Sequence, residues 1–257
     1  MNYSENPETP NLAPAAAPSG RVAVRLPQNA PYVTYAILAL TILVFLGQLG
    51  TEAIFGADLL AYFGAKINEA IAAGQFWRLF TPMLLHGSIL HIGFNMYALY
   101  LFGPRLERYF GPWRFLALYI LSGFGGNVFS MLFTEAFSLG SSTAIFGLIS
   151  AQGVFLYQNR EVFGSENTRQ AISSIVMVAG INLVIGLSPG IDNWGHIGGL
   201  IGGLIFTWLG GPLLGIGGSY PGYQMVDQRS TQEVIQAGLA VAGFFLILTI
   251  GSLFLAR

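Results

Sequence analysis

Apolar residues in this chain come in long runs, separated by short segments that carry nearly all of its charge. Runs of about 20 residues match the length a helix needs to cross a hydrocarbon core of about 30 Å. The pattern predicts seven such helices, at roughly 31–50, 80–101, 114–135, 142–159, 171–188, 194–213 and 236–256. A closed β-barrel would also satisfy its backbone in lipid, but it needs alternating polar and apolar positions, which these runs lack. The predicted fold class is therefore an all-α membrane protein. Six of the predicted helices fall within 31–213, a linker expected in the cytoplasm follows over 214–235, and the seventh helix takes up 236–257. Residues 1–30, rich in Pro, Ala and Asn, contain no apolar run that fits a signal peptide and read as a disordered cytoplasmic tail.

Composition agrees with lipid as the solvent. Of the 257 residues, 53% are hydrophobic and 9% are charged, with a mean hydropathy of +0.61. A soluble domain carries about 25% charged residues, so this chain lacks the means to cover a water-facing surface. The 34 glycines fit the same picture, because helices in lipid approach each other through small residues. The absence of cysteine excludes disulfides and thiolate metal sites. A net charge of −1 argues against a nucleic-acid partner or a polybasic lipid patch.

Basic residues flanking the spans set an orientation. With the N-terminus inside, the inner segments hold Arg21, Arg25, Arg105, Arg108, Arg114, Arg160, Arg169 and Arg229, against Lys66, Arg78 and Arg257 outside. The N-terminus is thus expected in the cytoplasm and the C-terminus outside. The lack of a targeting segment favours a bacterial inner (plasma) membrane over an organelle.

The chemistry concentrates in three stretches. All three histidines fall in or beside apolar runs, His86 and His91 in LLHGSILHIGFNMYALYLF and His196 in IDNWGHIGGLIGGLIF, and SLGSSTAIFGLISA supplies Ser142. An ionisable side chain within a membrane is costly, which makes each such histidine a functional candidate. In the predicted topology Ser142 and His196 both start helices at the external side. His91 and Asn95, four residues apart, share a face about three turns into the second helix. His196, Gly199 and Gly203 share a face of the sixth, and Thr143, Gly147, Ser150 and Ala151 make a small-residue stripe on the fourth; two such faces let backbones approach closely. A serine hydroxyl needs an adjacent base, for which His196 is best placed. His91, Asn95 and the Ser142 N–H can supply oxyanion donors, with the fourth helix directing its positive end at the site. The predicted span boundaries put Asp192 in an external loop, so the reading is a Ser–His dyad without a third carboxylate. No cofactor is called for.

These residues resemble the rhomboid intramembrane serine proteases. The family pattern is a His five residues before an HxxxN helix, then GxSG, then a late His in HxxGxxxG. The matches are His86, then His91 with Asn95, then Gly140 with Ser142, and then His196 with Gly199 and Gly203. GQFWRLFTPMLLH is similar to the family's membrane-associated first loop, with Trp77 and Arg78 at its Trp-Arg signature and His86 as a structural partner there. The resemblance runs from about Pro31 to Pro212 and implies a six-plus-one rhomboid-like bundle. It also implies a Ser142–His196 dyad, oxyanion stabilisation by His91 and Asn95, and helix packing through Gly199 and Gly203. The substrates would be transmembrane proteins cut in or near their spans, reached through lipid past a gating fifth helix. One position departs from the pattern: Thr143 stands where the motif ends in Gly.

Each element alone has a structural reading. A serine at a helix start caps or packs, a membrane His with a neighbouring Asn makes an interhelical hydrogen bond, and GxxxG marks many interfaces. A second functional class is a channel or transporter with the histidines as a proton or metal path, although the predicted spans contain essentially no Asp, Glu or Lys. A third is a catalytically inactive rhomboid-like protein that binds client helices in the same groove. Other intramembrane proteases would need HExxH or paired buried aspartates, and neither is present.

Overall fold

The computed structural model describes residues 29–219 and 222–255. The predicted N-terminal tail, with Arg21 and Arg25, lies outside the described residues except for its last two positions, as does Arg257.

Ten α-helices are present among the described residues, and seven of them are long: α1 (Tyr32–Phe55), α4 (Ile89–Phe110), α5 (Pro112–Phe133), α6 (Ser142–Gln158), α8 (Ser165–Ile185), α9 (Asn193–Gly210) and α10 (Thr231–Leu255). By length and composition four of these, α1, α5, α8 and α10, are apolar enough to cross a membrane. The segment between α1 and α4 folds into two short helices, α2 (Leu59–Gly64) and α3 (Asn68–Ala72), and two 3-10 turns, Phe76–Leu79 and Thr81–Leu84. A four-residue helix, α7 (Arg160–Phe163), precedes α8.

The second long helix starts nine residues later than the predicted 80–101 span. Thr81–Leu84 is held in the 3-10 turn containing Pro82, and Ser88 then caps α4 by accepting from the His91 N–H at 3.1 Å. His91 and Asn95 therefore lie in the first two turns of α4, not three turns in. The shift also brings Glu107 inside the helix, fully buried, so the long helices are not free of carboxylates. Glu107 accepts from Val33 N at 2.8 Å, Thr34 N at 2.7 Å and Thr34 Oγ1 at 2.6 Å. It thereby caps the start of α1 from another helix and neutralises orphan donors at the positive end of that helix.

The centre of the bundle is α5, α6 and α9. Glycines permit the close approach. A Cβ on Gly199 would meet the Thr143 carbonyl, one on Gly203 the Gly147 carbonyl, and one on Gly198 would lie 2.5 Å from the Gly125 carbonyl. Buried Phe245 of α10 packs over Gly125 and Gly202, which seats the last helix against α5 and α9. By contrast α8 buries only Thr168 and Ile175.

The 214–235 linker contains structure that the sequence reading left out. Strands β1 (Leu214–Gly217) and β2 (Gln224–Asp227) pair antiparallel, Leu214 opposite Asp227. An Arg114–Asp227 ion pair at 2.7 Å fastens this hairpin to the start of α5.

Candidate active site

Ser142 is the first residue of α6, and His196 sits in the first turn of α9. The serine Oγ lies 3.0 Å from His196 Nε2, within hydrogen-bond reach. His196 is 7% exposed, and its ring stacks on Phe146 with centroids 4.1 Å apart and planes 9° from parallel. Phe146 is one helical turn beyond Ser142, so α6 carries both the hydroxyl and the surface that fixes the imidazole plane. The sequence reading missed this residue. Its signal was an aromatic at i+4 from the serine, on the same face.

Among the described residues, Nδ1 of His196 has no hydrogen-bond partner. Asp192, which the sequence reading placed in a loop, is the N-cap of α9, and its carboxylate accepts from Gly195 N at 2.9 Å. Among the described residues, the geometry is that of a serine–histidine pair without a carboxylate on the far side of the ring.

His91 approaches from α4. Its Nε2 would be 2.7 Å from a Cβ at Gly140, and that same point is 3.7 Å from Ser142 Oγ. Gly140 therefore leaves open a space bordered by the serine hydroxyl and His91 Nε2, and its φ of +133° is one that L side chains rarely adopt. The Gly87 N–H makes a long 3.5 Å contact to His91 Nδ1, which favours the tautomer with the proton on Nε2, facing that space. Asn95 is buried, and its Nδ2 donates to the His91 carbonyl at 2.9 Å, leaving its second amide proton for another acceptor. Side chains from the first turns of α4, α6 and α9, His91, Ser142 and His196, are thus brought together.

Ser141 is engaged elsewhere. It is fully buried, and its Oγ lies 3.2 Å from His86 Nε2. His86 is fixed in turn by Gln48 of α1, whose Oε1 accepts from His86 N at 3.0 Å and whose Nε2 donates to Asp58 at 2.6 Å. Of the adjacent serines, only Ser142 has any exposure.

Trp77 and Arg78 organise the first loop. Trp77 Nε1 donates to Phe63 O at 2.9 Å, and buried Arg78 donates to the carbonyls of Ala65 and Tyr62 at 2.7 and 2.8 Å. Thr143 is accommodated by bare backbone, since its methyl lies where a Cβ at Gly195 would be 3.0 Å away and its Cβ faces Gly126.

Comparison with known proteins places these features in context. The Rhomboid domain family model matches residues 73–213. The chain is 41% identical over 174 residues to "Rhomboid protease GluP" of Bacillus subtilis (strain 168), covering 67% of this chain and 34% of that protein. It is 38% identical over 155 residues to "RHOMBOID-like protein 9, chloroplastic" of Arabidopsis thaliana, covering 60% and 36%. With "RHOMBOID-like protein 7" of the same plant it shares 35% over 197 residues, covering 73% and 61%. The chain thus spans about a third of the first two relatives.

Proposed function

Because this chain belongs to the rhomboid family, an integral, multi-pass group of helical membrane proteins, we propose that it is an intramembrane serine endopeptidase. It hydrolyses peptide bonds in or near the transmembrane segments of membrane proteins through a Ser142–His196 dyad. The observation that carries this reading is the 3.0 Å approach of Ser142 Oγ to His196 Nε2.

In this mechanism His196 Nε2 takes the Ser142 proton as Oγ attacks the scissile carbonyl. Charge developing on the carbonyl oxygen is met in the space beside Gly140 by His91 Nε2–H and the Ser142 N–H, with Asn95 the further donor that the family resemblance implies. Such donors are preorganised, so they cost no reorganisation during the reaction. His196 then returns its proton to the leaving amine, and water enters to release the acyl-enzyme. Phe146 keeps the imidazole plane fixed through both transfers. With no carboxylate on Nδ1, the transient imidazolium relies on its neighbours and on brief existence for its stability.

All seven long helices span the membrane, six in the core and α10 added to it. The ends bearing Arg105, Arg108, Arg114, Arg160, Arg169 and Arg229 face the cytoplasm, and the dyad lies toward the external face of a bacterial inner membrane. Substrate helices enter past α8, whose few buried residues support a mobile wall.

A non-catalytic client-binding protein is the second reading, favoured by Thr143 at the motif Gly. The fit of Thr143 against Gly126 and Gly195 weighs against it. The test is labelling of the detergent-solubilised protein with a fluorophosphonate, followed by cleavage of a single-span substrate. Labelling and cleavage that survive Ser141→Ala and vanish with Ser142→Ala or His196→Ala are expected. An unsubstituted protein that neither labels nor cuts would leave the client-binding reading.

A further inference from the structure

Resting on the dyad reading, we propose that Ser138 and Asp192 form a clamp that sets the distance between Ser142 and His196, with Asp192 a positioning residue rather than a third triad member. Ser138 Oγ donates to Asp192 Oδ2 at 2.6 Å. Each partner lies four residues before one member of the dyad. Ser138 ends its bond in the loop that runs directly into α6, and Asp192 caps the helix whose first turn carries His196. The carboxylate thus serves two elements at once. Oδ1 accepts from Gly195 N and fixes the start of α9, while Oδ2 holds the serine loop to that start.

The loop side of the clamp is anchored independently. Ser138 pairs with Lys66 through two backbone hydrogen bonds, Lys66 N to Ser138 O at 2.9 Å and Ser138 N to Lys66 O at 3.2 Å. Lys66 Nζ donates to the carbonyls of Thr134 at 2.6 Å and Ala136 at 3.1 Å, and Asn68 donates to Thr134 O at 3.2 Å. Gly140 N closes the other end by donating to Pro82 O at 2.9 Å. The first loop therefore holds this stretch at Thr134, Ala136, Ser138 and Gly140, and the Ser138–Asp192 bond ties it to the start of α9. Burial pushes the Lys66 ammonium below the usual lysine range, and the nearby carboxylates of Asp192, Glu135 and Glu69 oppose that shift.

Removing the clamp should loosen the dyad without unfolding α9. Ser138→Ala deletes the tie and leaves the cap; Asp192→Asn retains an acceptor for Gly195 N and a donor for Ser138 Oγ; Asp192→Ala removes both. Two readouts apply to the full-length protein in detergent. With 15N-labelled histidine, the His196 ring resonances should report the bond to Ser142, identified by its loss in Ser142→Ala. They should move toward the Ser142→Ala positions in Ser138→Ala and stay in place in Asp192→Asn. Fluorophosphonate labelling and kcat for a single-span substrate should fall about tenfold in Ser138→Ala with KM unchanged, the size expected of a sub-ångström misplacement. Asp192→Asn should keep near-native rates, and Ser138→Ala in the Asp192→Ala background should cost nothing more.

Unmoved His196 resonances in Ser138→Ala overturn the clamp whatever the rates do. Resonances that move as expected in a protein that never labels uphold the clamp and overturn the protease reading instead.

Discussion

At the scale of single residues, the local environment decides which of several similar groups can act. Ser141 and Ser142 are neighbours with the same hydroxyl, yet one is sealed against His86 and the other opens toward His196. Motif spacing favoured Ser142, but the sequence had no means to show what occupies Ser141. Phe146 was legible only as an aromatic one turn beyond Ser142; that the ring it stacks on is His196 became visible only in the packed bundle. Phe146→Ala should lower kcat about 10- to 100-fold with Ser142 still labelled slowly, since a misplaced base costs rate before it costs binding. Thr143→Gly should preserve cleavage and lower stability by about 1 kcal/mol, from helix propensity and lost packing, as read by thermal unfolding in detergent. Lys66 supplies a pH dependence. Its folded pKa is lowered, so between that value and the ordinary lysine value the unfolded chain holds more protons than the folded one. Stability should therefore rise as pH increases through this window, and Lys66→Met should flatten the rise.

At the scale of elements, the apolar runs announced seven long helices, and their existence was legible because lipid demands long apolar segments. Their ends were less so. The 80–101 run looked continuous, but Pro82 and the Ser88 cap hold its first nine residues outside α4. Hydropathy averages over such local devices. The later start of α4 places His91 at a helix start and Glu107 in a buried cap on α1. Glu107→Ala should cost about 1–3 kcal/mol by orphaning buried donors and should fray α1 in hydrogen exchange ahead of the other helices. Gly203→Leu should prevent folding, because its side chain would occupy the backbone of α6 at Gly147; recovery of folded, labelled protein would show that α6 and α9 can separate.

For the whole molecule, the chain lacks cysteine, so single introduced cysteines can map sidedness without background. An impermeant maleimide applied to cells should reach positions in the first loop and near Gly190, and should miss positions at Gly164 and in the β-hairpin. The sequence alone determined the class of the molecule, an all-α membrane protein, because composition and run length follow from the solvent and need no knowledge of contacts. It also singled out Ser142, His196, His91 and Asn95 as candidates, because polar and ionisable groups stand out against an apolar background. The tertiary structure alone decided which of those groups face each other, that Phe146 braces His196, that Glu107 caps a distant helix, and that Ser138 meets Asp192. Those pairings join residues 50 to 74 positions apart, and only packing of the helices through their bare glycine backbones brings them into contact.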